Sequence, residues 1–177
     1  SLPPSGAVME GAWLALESQR DAPLDRDAFY TTALTTIAVL EPGEPANSNR
    51  MIEISGAMAM AAIHYAFDQY RNFGHQPPNL FAEIWDDYVT LLEGYPESRR
   101  HQRIHMGHNC WVLPEERRFL TPKIMQGTAL MGSQDQILER LFELEQAGLK
   151  QVMTLPNFDT RYASLKTLGK KIIPFLS

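Results

Sequence analysis

The last third of the chain constrains the fold most, because helix and strand signals alternate there with very short connections. Ser133 and Gln136 form a capping box, the pattern that starts a helix, and Gly148 suits the end of that helix. Residues 149–156, "LKQVMTLP", have the composition of a short strand, and residues 157–177 predict a closing helix. Such short connections between helix, strand and helix are typical of α/β folds with parallel strands.

The preceding sequence predicts one more strand within a largely helical chain. Residues 34–40 are rich in β-branched and apolar side chains, which predicts a strand buried on both faces. Residues 50–73 predict one long helix, whose Met and Ala content would also suit an interface between subunits. Residues 80–94 predict a second amphipathic helix, and two prolines break residues 113–132 into short helical turns. We expect a single domain spanning residues 1–177.

The composition excludes several classes of protein. With a formal net charge of −5 and 44% hydrophobic residues, the chain can bury a core and has no general attraction to nucleic acid or anionic membranes. No stretch approaches the roughly 18 to 20 apolar residues that span a bilayer. The single cysteine, Cys110, excludes an internal disulfide and fits a reducing compartment. The start, "SLPPSGAVMEGAW", has no features of a secretion signal and reads like the middle of a longer protein, so we expect a cytoplasmic location.

Three of the five histidines lie close together in the sequence. His101, His105 and His108 follow the spacing that places side chains on one stripe of a helix. Zinc binding is the less favoured use, because Gln102 stands where the zinc-protease motif has a catalytic Glu, and Gly107 weakens the helix. We predict a packing role for His101. His105 and His108 stay open between packing and a pocket that polarises a substrate or cofactor oxygen.

One segment carries a family resemblance. Residues 129–156, "ALMGSQDQILERLFELEQAGLKQVMTLP", resemble the C-terminal signature of the luciferase-like flavin-dependent oxidoreductases, in which a Gly-Ser/Thr pair opens a helix that ends before the last strand of a barrel. Gln134 stands where the family usually has Pro, which is helpful but not essential in a first helical turn. The segments "LEPGEPANSNRM" and "PEERRFLTP" also resemble a subgroup of reductases and monooxygenases that use FMN or a deazaflavin. The positions that fit the signature are Gly132, Ser133, Asp135, Ile137, Leu141, Glu145, Ala147 and Gly148.

The resemblance implies the C-terminal portion of a TIM (β/α)8 barrel, since a complete barrel needs about 250 residues. The chain would then be helix-rich with few parallel strands, the last two of them near residues 32–40 and 151–155. A helical insertion covering residues 50–128 would separate these strands. It would overhang the carboxyl ends of the strands, where barrels of this kind place their sites.

The same resemblance implies a flavin- or deazaflavin-dependent oxidoreductase or monooxygenase acting on a small organic substrate, with this chain a fragment that need not be active alone. Glu41, His105 and His108 are the candidate pocket residues, and Gly132 and Ser133 are a candidate anion-binding helix start. No catalytic residue and no metal ligand is assigned. The complete protein would hold FMN or a deazaflavin, which this chain need not bind by itself, and a homo-oligomer would cover the exposed strand edges. Two alternatives stay open, namely a non-catalytic α/β protein that oligomerises and a helical protein that binds metal through its histidines.

Overall fold

The computed structural model describes residues 5–176, and helices predominate over strands in this part of the chain. Its α-helices are α1 (Gly6–Glu17), α2 (Asn49–Phe73), α3 (Trp85–Glu93), α4 (Glu97–Ile104), α5 (Pro122–Thr128), α6 (Gln134–Gln146) and α7 (Arg161–Lys171). Its strands are β1 (Thr32–Thr35), β2 (Ile37–Val39), β3 (Leu130–Gly132) and β4 (Gln151–Thr154). The predicted class, a helix-rich α/β fold with few parallel strands, is therefore confirmed.

The sheet is built around one extended run that is interrupted at Thr36. β1 pairs in parallel with β4, and β2 pairs in parallel with β3. The carbonyl of Thr35 accepts a hydrogen bond from the amide of Leu155 at 2.8 Å, whereas the carbonyl of Thr36 accepts from the amide of Leu130 at 2.9 Å. Because successive carbonyls of a strand point to opposite sides, β3 and β4 lie on opposite sides of the β1–β2 run.

The strands form two parallel pairs, β1 with β4 and β2 with β3, which meet at the β1–β2 run. β3 and β4 follow one another along the chain, yet β1 and β2 lie between them in space. In a TIM barrel, by contrast, consecutive strands are neighbours. The parallel pairing expected between residues 32–40 and 151–155 is present, but residues 5–176 form no closed barrel.

β3 is the element that the sequence did not reveal. Residues 113–132 predicted only short helical turns, and a 3-10 turn at residues 114–119 and α5 do lie there before the strand begins. Three strand residues are too few to show a period of two, and the capping Ser133 follows them directly. Because helix-forming sequence flanks these three residues on both sides, the sequence pattern does not indicate the buried strand.

Helices cover both faces of the sheet. Neighbouring strand residues alternate between the two faces. Ala38 and Met131 join the core formed with α2, α3 and α5, whereas Ile37, Val39 and Leu130 join the core formed with α6 and α7. The chain thus crosses from β2 to β3 over one face and from β3 to β4 over the other. The two connections lead to opposite sides of the β1–β2 run, and two right-handed connections of that kind must pass over opposite faces of the strands.

α2 is the longest helix and lies mostly in the core. The hydroxyl of Ser48 accepts from the amide of Met51 at 3.1 Å, and Gly74 ends the helix with φ +69°. The prediction that its Met- and Ala-rich face lies between subunits is wrong, because the chain's own core occupies most of that face. Neither α2 nor any other helix within residues 5–176 is long and apolar enough to cross a membrane.

Candidate acid–base site in the histidine cavity

The histidine segment does not form the continuous helical stripe that its spacing predicted. α4 ends at Ile104, and the chain then turns, with φ +74° at Gly107 and φ +58° at Asn109. A Cβ at Gly107 would lie 2.7 Å from Nε1 of Trp111, so the tight turn requires glycine there. His101 is exposed on α4, and its predicted packing role is wrong.

His105 and His108 nevertheless come together, with 5.4 Å between their ring centroids. Both line a cavity of about 330 Å³, which we call the histidine cavity. It lies between α2, the turn after α4 and the sheet residue Leu34. Its lining residues are Leu34, Met58, Ala61, Ala62, His64, Tyr65, Asp68, His105, His108 and Asn109.

A third histidine, which the sequence analysis did not single out, connects this cavity to the core. His64 lies on α2 with 2% of its side chain exposed, and its Nδ1 atom is 3.4 Å from Nδ1 of His108. The two rings stack with 5.7 Å between their centroids. A sequence signal for His64 did exist, because it falls among the buried positions of an amphipathic helix, beside Ile63 and Phe67.

Glu116 forms the inner end of this chain of polar groups. Its side chain is 1% exposed, and its Oε1 atom lies 3.2 Å from Nε2 of His64 and 3.3 Å from Nη1 of Arg103. The other carboxylate oxygen accepts from the amide of Leu113 at 3.4 Å. Arg103 also donates to Glu115 at 2.8 Å. A buried charge is tolerated only when it is paired and hydrogen-bonded, and Glu116 meets both conditions.

One pair of neutral tautomers satisfies the contacts of the two stacked histidines. In that pair, His64 donates from Nε2 to the Glu116 carboxylate, whose charge Arg103 balances, and Nδ1 of His64 is an acceptor. His108 then donates from Nδ1 to His64, and its Nε2 atom carries a free lone pair. Burial, followed by the proximity of His64 and His105, lowers the pKa of His108 below its usual value. A lowered pKa favours the neutral form of the His108 imidazole, which can accept a proton.

Glu41 lies apart from the two histidines with which the sequence grouped it. It lines a second cavity of about 560 Å³ at the carboxyl ends of β2 and β3, together with Ser133 and Lys171. Its Oε1 atom lies 2.9 Å from Nζ of Lys171. Of the three predicted pocket residues, the structure brings together only His105 and His108.

The helix start at Gly132 and Ser133 has the predicted capping box. The Ser133 hydroxyl accepts from the amide of Gln136 at 3.3 Å, and the Gln136 side chain accepts from the amide of Ser133 at 2.9 Å. Two amides that an anion would need are thereby already occupied. Glu41, Glu44 and Asp135 line the same cavity, and its one lysine is paired with Glu41. These residues do not fit the phosphate of FMN or of a deazaflavin.

The side chains that could bind a metal ion are not grouped into a site in the described part of the chain. Within residues 5–176, no three His, Cys, Asp or Glu side chains are placed to share a metal ion. The Nδ1 atoms of His64 and His108 face each other at a hydrogen-bonding distance, which removes one ligand atom from each ring.

Comparisons with known proteins give no relative. No protein-family model matches the chain, and comparisons with curated proteins and with solved structures gave no match either. The luciferase-like resemblance therefore rests on the sequence motifs alone, chiefly the one at residues 129–156.

Proposed function

We propose that this chain is an enzyme, or part of one, that moves a proton to or from a small organic substrate in the histidine cavity. The chain of polar groups from Glu116 through His64 to His108 is the observation that carries the proposal. It joins a buried carboxylate to a neutral imidazole at the cavity wall. This arrangement is that of a general base oriented by a second group.

The proton path follows from the tautomers. The free Nε2 atom of His108 accepts a proton from the substrate, which makes that ring an imidazolium. Its Nδ1 proton can then pass to Nδ1 of His64, 3.4 Å away. His64 becomes the cation beside Glu116, where the buried carboxylate stabilises it. In the reverse direction the same groups return the proton, so the site serves as acid or base.

A generic proton-abstraction probe tests this proposal without knowledge of the natural substrate. In 5-nitrobenzisoxazole, a base removes the ring C–H proton as the N–O bond breaks, and the nitrophenolate product is coloured. We expect turnover that falls at least about tenfold in His108→Asn, a loss within the usual contribution of a general base. His101→Asn, which alters an exposed histidine, should keep the full rate. Equal rates in wild type and His108→Asn would overturn the proposal.

The relay has its own readout. Nitrogen-15 NMR of the imidazoles should show opposite tautomers, with Nδ1 unprotonated in His64 and protonated in His108. Glu116→Gln removes the buried negative charge and should make the pair take up its proton at lower pH. Glu115→Gln, which alters the more exposed partner of Arg103, should move this midpoint less. Identical tautomers in the two rings would contradict the relay.

A second candidate function is a flavin- or deazaflavin-dependent oxidoreductase or monooxygenase of the luciferase-like type, as the sequence resemblance implies. The parallel pairing of β4 with β1 favours it. The poor fit of Gly132 and Ser133 to a phosphate and the separation of β3 from β4 count against it. Titration of the chain with FMN and with a deazaflavin tests it. A shifted flavin absorption spectrum supports cofactor binding by this chain, and an unshifted spectrum contradicts cofactor binding by this chain.

A homo-oligomer remains part of the proposal. Leu34 on β1 and Met153 on β4 are neighbours in register, and about half of each side chain is exposed. Covering exposed apolar side chains on a strand pair favours self-association. Light scattering coupled to size-exclusion chromatography should give a mass above that of one chain, and the mass of a monomer would contradict this expectation.

A further inference from the structure

The histidine cavity presents hydrogen-bond acceptors and no permanent cation. None of its lining residues is lysine or arginine. The carboxylate of Asp68 lies 3.9 Å from Nε2 of His105 and has no closer cationic partner among residues 5–176. His108 adds the free lone pair of a neutral imidazole. A ligand that brings its own negative charge would meet Asp68 without any compensating side chain.

Asn109 supplies a third acceptor. It lines the cavity, and its Oδ1 atom is buried without a hydrogen-bond donor in the described part of the chain. Buried polar atoms are nearly always paired, so an unpaired one marks a place where a missing donor belongs. Rotation of the amide toward the cavity would bring this oxygen to a bound N–H group.

The rest of the wall is apolar. Leu34, Met58, Ala61 and Ala62 supply aliphatic surface, and the ring of Tyr65 lies at the same wall. Aliphatic surface accepts a short hydrocarbon portion, and an aromatic face attracts a cation. The volume of about 330 Å³ is at the small end of the range for ligand pockets.

From this combination we infer that the cavity binds a small organic amine in its ammonium form, with the ammonium group at Asp68 and Asn109 and the hydrocarbon portion at Leu34 and Met58. The inference rests on the proposed function in that it assigns the ligand class of the same cavity. An ammonium group satisfies the three acceptors that the protein leaves without donors, and it neutralises Asp68. It also places an N–H proton within the cavity whose base is His108.

Three probes with one carbon skeleton test the charge preference. Butylamine, butanol and butyrate are titrated separately at pH 7.5 while NMR monitors His105, His108 and the Asn109 side-chain amide. We expect saturable shifts with butylamine, at least about tenfold weaker binding of butanol and none of butyrate. Tighter binding of butanol or butyrate, or no saturable shift with any probe, would overturn the inference.

Variants locate the ammonium group. Asp68→Asn should weaken butylamine binding at least about tenfold, and the matched exposed control, Asp159→Asn, should leave it unchanged. Asn109→Gly keeps the left-handed backbone and removes the amide, so it should weaken butylamine binding while the chain stays folded. Unchanged affinity in Asp68→Asn would overturn the inference.

Failure of this inference is distinguishable from failure of the proposed function. The benzisoxazole assay contains no amine, and the difference between wild type and His108→Asn isolates the contribution of His108. Turnover without amine binding removes the ligand class and leaves the acid–base site. If the chain binds the amine but its turnover does not depend on His108, the ligand class stands and the acid–base site is removed.

Discussion

The Nε2 atom of His64 lies 3.2 Å from the Oε1 atom of Glu116, and both side chains are almost completely buried. The two residues are 52 positions apart in the sequence, on α2 and on the turn at residues 114–119. Their contact ties the turn at residues 114–119 to the long helix. It also fixes which nitrogen of His64 is free to meet His108, so stability and the proposed proton transfer depend on the same carboxylate.

Glu116→Ala should destabilise the chain strongly, because it leaves Arg103 as a buried charge without its inner partner. We expect a loss of about 3 to 5 kcal/mol in the free energy of unfolding, measured by urea denaturation. Glu115→Ala removes a more exposed partner of the same guanidinium and should cost no more than about 1 kcal/mol. Similar small losses for the two variants would contradict the description of Glu116 as the buried anchor.

His108 should make the stability of the chain depend on pH. Its pKa in the folded state lies below the ordinary 6.5, first because of burial and then because of His64 and His105. As the pH falls from about 6.5 toward the lower folded pKa, the unfolded chain takes up a proton before the folded chain does, so stability falls. Unfolding free energies between pH 5 and 8 should show a shallower dependence in His108→Asn. His101→Asn should keep the slope of the wild type.

Glu44 should contribute stability that disappears in acid. Hydrogen bonds, first from Arg50 and then from the Glu41 amide and the Ser48 hydroxyl, lower the pKa of Glu44 from 4.5 to about 2. A lowered carboxyl pKa stabilises the fold above pH 4.5, and this contribution is lost as the pH falls to about 2. The difference in unfolding free energy between wild type and Glu44→Gln should therefore shrink between pH 5 and 2. The exposed Glu143→Gln serves as the control, and a difference independent of pH would contradict the assignment.

Two helical glycines should respond in opposite directions to alanine. A Cβ at Gly56 in α2 would lie 2.8 Å from Cγ2 of Val112 and 3.0 Å from Cδ1 of Leu120, so Gly56→Ala overpacks the core. We expect a net loss of about 1 kcal/mol. Gly11 in α1 has no atom within 4 Å of the same position, and alanine there should stabilise the chain by up to about 1 kcal/mol. Thermal unfolding of the two variants gives the signs directly.

Local chemistry made much of the fold predictable. The capping box at Ser133 and Gln136, the end of α2 at Gly74 and the strand at residues 151–154 each depend on a few neighbouring residues, and all are present. The same reasoning did not reveal β3, because three residues between two helices leave no periodic signal. It also did not give the strand order, which depends on contacts between distant segments.

The candidate site was only half predictable, for the same reason. His105 and His108 stood out because they are close in sequence. His64, which contacts His108, and Glu116, which contacts His64, come from α2 and from a turn, so no spacing relates them to the histidine segment. Glu41 was grouped with the histidines on the expectation that residues 50–128 overhang the strand ends. The helices instead place the histidines beside Leu34, at a separate cavity.

The interrupted run at residues 32–39 has a consequence for how the chain is made. The Thr32 hydroxyl donates a hydrogen bond to the side chain of Gln151, 119 positions later. The next strand, β2, pairs with residues that begin at Leu130. Nothing in the sheet can pair until most of the polypeptide has left the ribosome. During that interval this segment has no strand partner, and an unpaired strand edge exposes the nascent chain to aggregation.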